Sequence, residues 1–180
     1  TSADLKQAAG TPGFRARSLG SAARIEIDSE IRSFTSANVV ARVTGSDPAR
    51  SNEAVVFTAH WDHLGRNPAL VGDQIYNGAN DNAAGVAQLL ELARGFAALK
   101  VRPRRSILFI ATTAEESGFV GAKYYVANPL VPLDRTVAAF NLDAGNLFGV
   151  TRDLASAGYG NSTLDEVLGR AAGLQGRKFV

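Results

Sequence analysis

The sequence predicts an α/β protein, specifically a three-layer α/β/α sandwich around a mixed, mostly parallel central sheet. Three segments are apolar almost throughout: "EAVVFTAH" (53–60), "SILFIATT" (106–113) and "RTVAAFNLD" (135–143). Continuous apolar runs of this length are typical of strands buried on both faces, which occur mainly in parallel sheets. Segments with the apolar spacing of amphipathic helices lie between them. Strands that alternate with helices indicate a parallel sheet covered by helices on both sides.

The first part of the chain predicts an edge to this sheet. Residues 1–20 are rich in Gly, Ala and Ser and contain one short possible helix around "DLKQAA". Apolar and polar residues then alternate in "ARIEIDSEIRSF" (23–34) and in "ANVVARVTG" (37–45). Such alternation predicts two neighbouring antiparallel strands, each with one buried face.

Helices are predicted after the first two buried strands and near the end of the chain. A Gly/Asn-rich loop runs from the first strand to Asn82, and a helix should follow it. Its apolar residues fall on one face at helical spacing: Val86, Leu89, Leu90, Ala93, Phe96 and Ala97. A second helix is predicted over residues 118–127 and a last one over residues 162–175.

Composition excludes several classes of function. The 180 residues are 46% hydrophobic, which is enough for one substantial core. The net charge is +2 and the basic residues are scattered, which argues against nucleic-acid binding. No apolar run reaches the roughly 18 residues that a membrane span needs. Because there are no cysteines, any metal must be held by nitrogen and oxygen atoms.

Ionisable side chains follow each buried strand. His60 and Asp62 come after the first, Glu115 and Glu116 after the second, and Asp143 after the third. In open α/β sheets, ligands bind outside the carboxyl ends of the strands, so these side chains should meet at one edge.

Asp81 belongs to the same predicted edge, because it lies in the loop that leads into the first long helix. Each acid alone has an ordinary structural explanation, such as capping a helix or favouring its positive end. Together the carboxylates would repel one another and lose hydration unless a cation neutralised them. An imidazole and several carboxylates suit zinc, with manganese or cobalt as substitutes.

The adjacent pair Glu115 and Glu116 fits a metal-assisted hydrolysis. Two metals about 3.5–4 Å apart, bridged by one carboxylate, form a known clamp for such reactions and would account for the number of acids. One glutamate can then bind a metal while its neighbour serves as the general base for the attacking water.

Four motifs, in this order and spacing, resemble the co-catalytic zinc exopeptidases typified by bacterial leucyl aminopeptidases and glutamate carboxypeptidase. They are "TAHWDHLG", "YNGANDNAAG", "TTAEESGFVGAKYY" and "AAFNLDAGN". The resemblance implies the zinc-exopeptidase fold over residues 36–180, incomplete at its C-terminus. Residues 1–35 resemble the exit segment of a protease-associated insert domain.

The resemblance implies two zinc ions and a role for each motif residue. His60 and Asp143 would bind the first zinc, Glu116 the second, and Asp81 would bridge both. The resemblance also implies a peptide substrate that is cleaved most favourably at its N-terminal peptide bond. It further implies an enzyme that is secreted or periplasmic.

Glu115 would be the general base, and Asp62 would orient His60. The family also has a late histidine ligand at the second zinc, but His60 and His63 are the only histidines in this chain. We expect His63 to face elsewhere and to be structural or to support a ligand. Trp61 and Phe148 are weak candidates for the wall of a substrate pocket.

Other functions on the same scaffold stay open at this point. A carboxypeptidase would share the metal centre. Glutaminyl cyclases resemble the family and use a single zinc for intramolecular acyl transfer. A non-catalytic binding module is a third possibility, although every acid of the four motifs is present.

Overall fold

The computed structural model describes residues 2–16, 18, 20, 22, 24–29, 31, 33–147 and 149–180. The chain divides into two compact units, Thr1–Phe34 and Thr35–Val180. The first unit contains helix α1 (Ser2–Ala9), where the sequence predicts one. Its assignment to an insert domain stays a prediction.

The second unit contains the predicted sheet. Four strands are β1 (Val39–Val43), β2 (Ala54–His60), β5 (Ser106–Thr112) and β6 (Thr136–Asn141). Their order across the sheet is β1-β5-β2-β6. β2 is parallel to both of its neighbours, and β1 is antiparallel to β5. The α/β fold with a mixed, mostly parallel sheet is therefore confirmed.

Helices and short strands complete the unit. The helices are α2 (Ala84–Ala97), α3 (Val120–Ala127) and α4 (Leu164–Leu174). A π-type turn, Ala79–Ala83, precedes α2, and a 3-10 turn, Leu133–Arg135, precedes β6. Two-residue strands pair separately: β3 (Gly65–Arg66) with β4 (Ile75–Tyr76), and β7 (Asp153–Leu154) with β8 (Lys178–Phe179).

The core lies on both faces of β2 and β5. One cluster comprises Ala54, Val56, Leu108, Ile110 and Val131, and Tyr125 of α3 packs against it. The other joins Ala59, Ile107 and Phe109 to Leu89 of α2. Because both faces of these strands are buried, their sequences lack an alternation of polar and apolar residues.

The structure corrects three details of the sequence prediction. The described residues of 24–34 form no strand, and the antiparallel partner of β1 is β5. β6 is an edge strand rather than a buried one, so it alternates in exposure and leaves Val137 47% exposed. On α2, Leu90 is 64% exposed, and Leu92 packs into the core in its place. Leu92 is three residues after Leu89 and four before Phe96, which puts all three on one helix face.

No helix in the described part of the chain is long and apolar enough to cross a membrane.

Candidate metal centre

The site is at the carboxyl edge of the sheet, where β2 ends in His60. This side chain is 2% exposed, and its Nε2 atom lies 3.0 Å from Asp81 Oδ1 and 3.5 Å from Asp143 Oδ1. Its other ring nitrogen, Nδ1, lies 2.9 Å from the carbonyl oxygen of Asp62. A carbonyl oxygen only accepts hydrogen bonds, so Nδ1 carries the hydrogen. In the neutral ring, Nε2 then presents its lone pair to the two carboxylates.

The contacts of His60 Nε2 are not hydrogen bonds. Among the described residues this atom is buried and has no hydrogen-bond partner, although Asp81 Oδ1 is within bonding distance. Lone pairs of nitrogen and oxygen that face one another repel unless a proton or a cation lies between them. Ligand atoms of His60, Asp81 and Asp143 lie within 4.8 Å of one another, which is close enough for one ion.

A second group of ligand atoms shares Asp81. His63 Nδ1 lies 2.7 Å from Glu116 Oε1, and ligand atoms of His63, Asp81 and Glu116 also fall within 4.8 Å of one another. His63 Nδ1 is buried and has no hydrogen-bond partner among the described residues. The expectation that His63 faces elsewhere is therefore wrong. The loop after β2 turns back through the short β3–β4 hairpin, and the imidazole contacts the ring of Tyr76 edge-on.

Two asparagines hold Asp81 against the end of β6. Asn82 donates from Nδ2 to the carbonyl oxygen of Leu142 (2.9 Å), and its Oδ1 accepts from the backbone nitrogen of Ala144 (3.1 Å). Asn80 Oδ1 accepts from the backbone nitrogen of Gly145 at 2.9 Å. These bonds fasten the residues on both sides of Asp143.

The sequence analysis missed the asparagines beside Asp81, although the alternation "NDN" at 80–82 is a visible signal. The peptide bond between Asp81 and Asn82 is cis. Gly85 completes the packing, because a Cβ there would lie 2.2 Å from Asn82 Oδ1 and 2.4 Å from the Leu142 carbonyl.

Glu115 lies in the turn between β5 and α3. Burial raises the pKa of its carboxyl group; His60 lowers it, and Glu116, Asp143 and Asp81 raise it further, so that the balance stays above the ordinary value. Glu115 therefore lies within electrostatic reach of both groups of ligand atoms.

The pKa of His60 reflects the same crowding. Burial disfavours the charged ring, but the hydrogen bond to the Asp62 carbonyl and the carboxylates of Asp143, Glu115 and Asp81 outweigh it and raise the pKa. In the absence of a cation, His60 and Glu115 therefore bind protons up to a higher pH than isolated side chains would.

Asp62 contacts two parts of the site with different groups. Its carbonyl oxygen faces His60, as described above. Its carboxylate oxygen Oδ2 accepts hydrogen bonds from Thr113 Oγ1 (2.8 Å) and from the backbone nitrogen of Ala114. The side chain of Asp62 therefore holds the turn that carries Glu115, and only its backbone meets His60. Its role in orienting His60 stays a prediction.

An apolar cavity of about 320 Å³ is lined by His60 and Glu115 of the site and by Val56, Ile110 and Tyr125. Trp61 does not line this cavity, and its indole nitrogen donates to the Ala37 carbonyl oxygen at 3.2 Å. Phe148 lies outside the described residues.

The donor set fits a cation that binds imidazole nitrogen and carboxylate oxygen. Buried ring nitrogens without hydrogen bonds, acids on either side of them and the absence of thiolates all match zinc coordination. His60, Asp81 and Asp143 would hold one such ion.

The fold and the site together define an α/β protein with a candidate metal centre at the carboxyl edge of its sheet. A comparison with known families identifies the group within this class. The sequence model of Peptidase family M28 matches residues 38–180, and the chain belongs to this family.

Two curated aminopeptidases are similar to this chain in sequence. The chain is 38% identical over 115 residues to aminopeptidase YwaD of Bacillus subtilis (strain 168), an alignment that covers 63% of this chain and 22% of that protein. It is 32% identical over 104 residues to a probable leucine aminopeptidase 2 of Aspergillus fumigatus, covering 58% of this chain and 18% of that protein.

A solved structure, the aminopeptidase from Aneurinibacillus sp. strain AM-1, superposes with a TM-score of 0.61 at 28% identity. That alignment covers 79% of this chain and 33% of the other. The chain therefore spans between 18% and 33% of the length of these relatives.

Proposed function

We propose that this chain carries the catalytic centre of a zinc-dependent exopeptidase that removes the N-terminal residue of a peptide. The observation that carries the proposal is the buried Nε2 atom of His60, which faces Asp81 and Asp143 without a hydrogen bond. Family membership and the names of the aminopeptidases that the chain is similar to support the same reaction. The substrate class is a peptide with a free N-terminus. Secretion or a periplasmic location stays a prediction.

The first ion would be held by His60, Asp81 and Asp143. Zinc in such a site supplies Lewis-acid polarisation of the scissile carbonyl and lowers the pKa of water to near neutrality. The protein contributes a rigid ring orientation, because the Asp62 carbonyl fixes His60 Nδ1 as the donor. The asparagine bonds of Asn80 and Asn82 keep Asp81 and Asp143 at a fixed separation.

A second ion is proposed between Asp81, Glu116 and His63. Asp81 would then belong to both sites, as a bridging carboxylate does in two-metal centres. His63 supplies the imidazole that completes the ligand group within this chain, which has only two histidines. The contact of 2.7 Å between His63 Nδ1 and Glu116 Oε1 supports this arrangement.

Glu115 is proposed as the general base. A base works best when its pKa lies near the working pH, and burial together with the neighbouring acids raises the pKa of Glu115 above its ordinary value. The carboxylate would take a proton from the attacking water and return it to the amine that leaves with the shortened peptide. Protons and charge then balance over the cycle.

The test is the hydrolysis of leucine anilide and of a short peptide by zinc-loaded protein, with Glu115→Gln as the variant. The amide keeps the shape of the side chain but cannot accept the proton. We expect kcat to fall by roughly 10²–10⁴-fold, the usual contribution of a general base, while bound zinc is unchanged. Glu91→Gln is the matched control, because Glu91 lies on α2 and pairs with Arg94 on the protein surface.

Blocked substrates separate the related reactions. An aminopeptidase loses its substrate when the N-terminus is acetylated, whereas a carboxypeptidase does not. Release of ammonia from an N-terminal glutamine peptide, without hydrolysis of other N-termini, would indicate a cyclase. Equal activity of the wild-type and Glu115→Gln proteins would refute the assigned base.

A further inference from the structure

The turn that carries Glu115 and Glu116 has an unusual backbone conformation. It runs from Thr113, directly after β5, to Gly121 in α3, and two of its non-glycine residues, Ala114 and Phe119, have φ angles of 52° and 61°. Residues with a Cβ atom rarely adopt such left-handed conformations unless surrounding contacts hold them. Contacts from outside the turn therefore determine where the two glutamates lie.

Bonds within the turn close it into a compact loop. The backbone nitrogen of Phe119 donates to the Glu115 carbonyl oxygen (2.8 Å), that of Val120 to Ala114 (3.1 Å) and that of Gly121 to Thr113 (2.9 Å). These bonds define the shape of the loop. They leave its position relative to the metal ligands open.

Asn38 joins the two ends of this loop. Its side-chain oxygen accepts from the backbone nitrogen of Thr113 at 3.1 Å, and its side-chain nitrogen donates to the Gly121 carbonyl oxygen at 2.8 Å. Asn38 directly precedes β1, which pairs with β5, so a residue 75 positions away in sequence holds the glutamate turn.

Gly121 makes the close approach to Asn38 feasible. A Cβ atom at this position would lie 2.4 Å from Asn38 Oδ1 and 2.5 Å from the Thr113 carbonyl oxygen. Any larger residue would therefore displace Asn38 or the loop.

A second connection runs from the same segment to Asp62. Ser36 Oγ lies 2.6 Å from Thr113 Oγ1. Thr113 Oγ1 in turn donates to Asp62 Oδ2, so the hydroxyl of Ser36 is the donor to Thr113. The segment before β1 is thus joined through Thr113 to the loop that follows His60.

We propose that Asn38 is a positioning residue for Glu115 and Glu116. Its amide holds the base of the glutamate turn so that Glu116 faces Asp81 and His63 while Glu115 faces the substrate side. An asparagine amide supplies a donor and an acceptor on two separate atoms of one short side chain, which is what the two ends of the loop require. We call the two hydrogen bonds of Asn38 to Thr113 and Gly121 the Asn38 clamp. The clamp is inferred from these hydrogen bonds alone, whereas its consequence for catalysis rests on the proposed function.

Two variants separate the two bonds. Asn38→Asp keeps the acceptor for the Thr113 nitrogen but loses the donor to Gly121, and Asn38→Leu loses both. Asn128→Leu is the matched control, because Asn128 Nδ2 donates to the Tyr124 carbonyl oxygen at the opposite end of α3. If Asn38→Leu fails to fold, Asn38→Asp carries the test.

The first readout is amide hydrogen exchange of the metal-free protein. We expect the amides of Phe119, Val120 and Gly121 to exchange at least about tenfold faster in Asn38→Asp, with β2 and β6 unchanged. Unchanged exchange in these amides would overturn the clamp, whatever the protein catalyses.

The second readout is the affinity for Co²⁺, with Glu116→Gln as the reference for complete loss of that ligand. We expect Asn38→Asp to lower the Glu116-dependent affinity about tenfold or more and Asn128→Leu to leave it unchanged. Faster exchange with unchanged cobalt affinity would overturn the positioning role. If Glu116→Gln itself changes nothing, the second ion of the proposed function fails, and the exchange result still decides the clamp.

Discussion

The polar side chains at the two ends of β2 and β5 differ in whether they have partners. At the amino end, the hydroxyl of buried Ser106 donates to the Ser51 carbonyl oxygen (2.7 Å) and accepts from Arg42 (2.9 Å) and from the Gly45 nitrogen (3.1 Å). Arg105 lies 2.5 Å from Glu53 at the same end. Each of these polar groups has a partner of complementary charge or hydrogen-bonding capacity.

At the carboxyl end, imidazole nitrogens and carboxylate oxygens face one another without hydrogen bonds. Of the four buried side-chain atoms in the described residues that lack a hydrogen bond, three belong to His60, Asp62 and His63. The carboxyl pKa values also move in opposite directions: the hydrogen bond from Arg104 lowers the pKa of Asp47 near the amino end, whereas burial raises the pKa of Glu115. The same strands thus join an end whose polar groups are paired to an end where three buried polar atoms have no hydrogen bond among the described residues.

This contrast identifies the site more firmly than the acids alone could. Acidic residues at the surface are common and are usually neutralised by water or by a nearby base. Within the described residues, Glu53 and Asp47 pair with arginines, whereas the only basic partners of Asp81, Glu116 and Asp143 are two imidazoles. A cation bound by these groups would supply the complementary charge, which is the basis of the metal centre proposed above.

Replacing each histidine in turn is expected to have the largest effect on ion binding at the carboxyl end. We expect His63→Ala to weaken the binding of the second ion by roughly 10–100-fold and to leave the first unchanged, because His63 contacts Glu116 and not Asp143. His60→Ala should do the reverse. Both variants are measured by Co²⁺ titration against a chelating dye. If both variants lose the same single ion, the two groups of ligand atoms form one site, and the proposal of two separate ions is wrong.

A change at the amino end should affect stability and leave ion binding intact. Ser106→Ala removes a buried hydroxyl and leaves its hydrogen-bond partners unsatisfied, which costs about 1–3 kcal/mol of unfolding free energy. Urea denaturation measures this loss, and Ser33→Ala, at an exposed position, is the control. Weaker ion binding by folded Ser106→Ala protein would show that the two ends are not independent.

A smaller effect is expected when pH is varied in the presence of a chelator. The folded state raises the pKa of both Glu115 and His60 above their ordinary values of 4.5 and 6.5. Because the folded protein then binds more protons than the unfolded one, stability should fall as pH rises from about 4.5 to above 6.5.

Saturating zinc should reverse that trend, since metal binding favours the deprotonated groups. Thermal unfolding at a series of pH values, with and without zinc, measures both curves. A metal-free protein whose stability rises through this range would contradict the described crowding of the site.

Sequence periodicity predicted the strands that are buried on both faces and failed where burial is partial. β2 and β5 are apolar throughout, so their positions could be read directly. The segment 24–34 alternates convincingly, yet alternation alone cannot tell whether a partner strand is available. Pairing of β1 with β5 depends on contacts between residues about 70 apart in the chain, which no local pattern contains.

The site could be predicted from strand ends and motifs to the level of ligand type. The resemblance to the zinc exopeptidases grouped His60 with Asp81 and Asp143, and Asp81 with Glu116, and the structure brings ligand atoms of each group within 4.8 Å of one another. His63 could not be placed, because its direction depends on the hairpin of β3 and β4. The roles of Asn38, Asn80 and Asn82 were equally hidden, since an asparagine in a loop has many ordinary uses.

The most direct test is the number of zinc ions retained per chain after dialysis against metal-free buffer, measured by elemental analysis. Wild-type protein, Asp81→Ala and Glu53→Gln are compared, so that one acid is removed from each end of the sheet. The account predicts at least one zinc in the wild-type and Glu53→Gln proteins and none in Asp81→Ala. Equal zinc content in wild-type and Asp81→Ala, with both proteins folded, would contradict it.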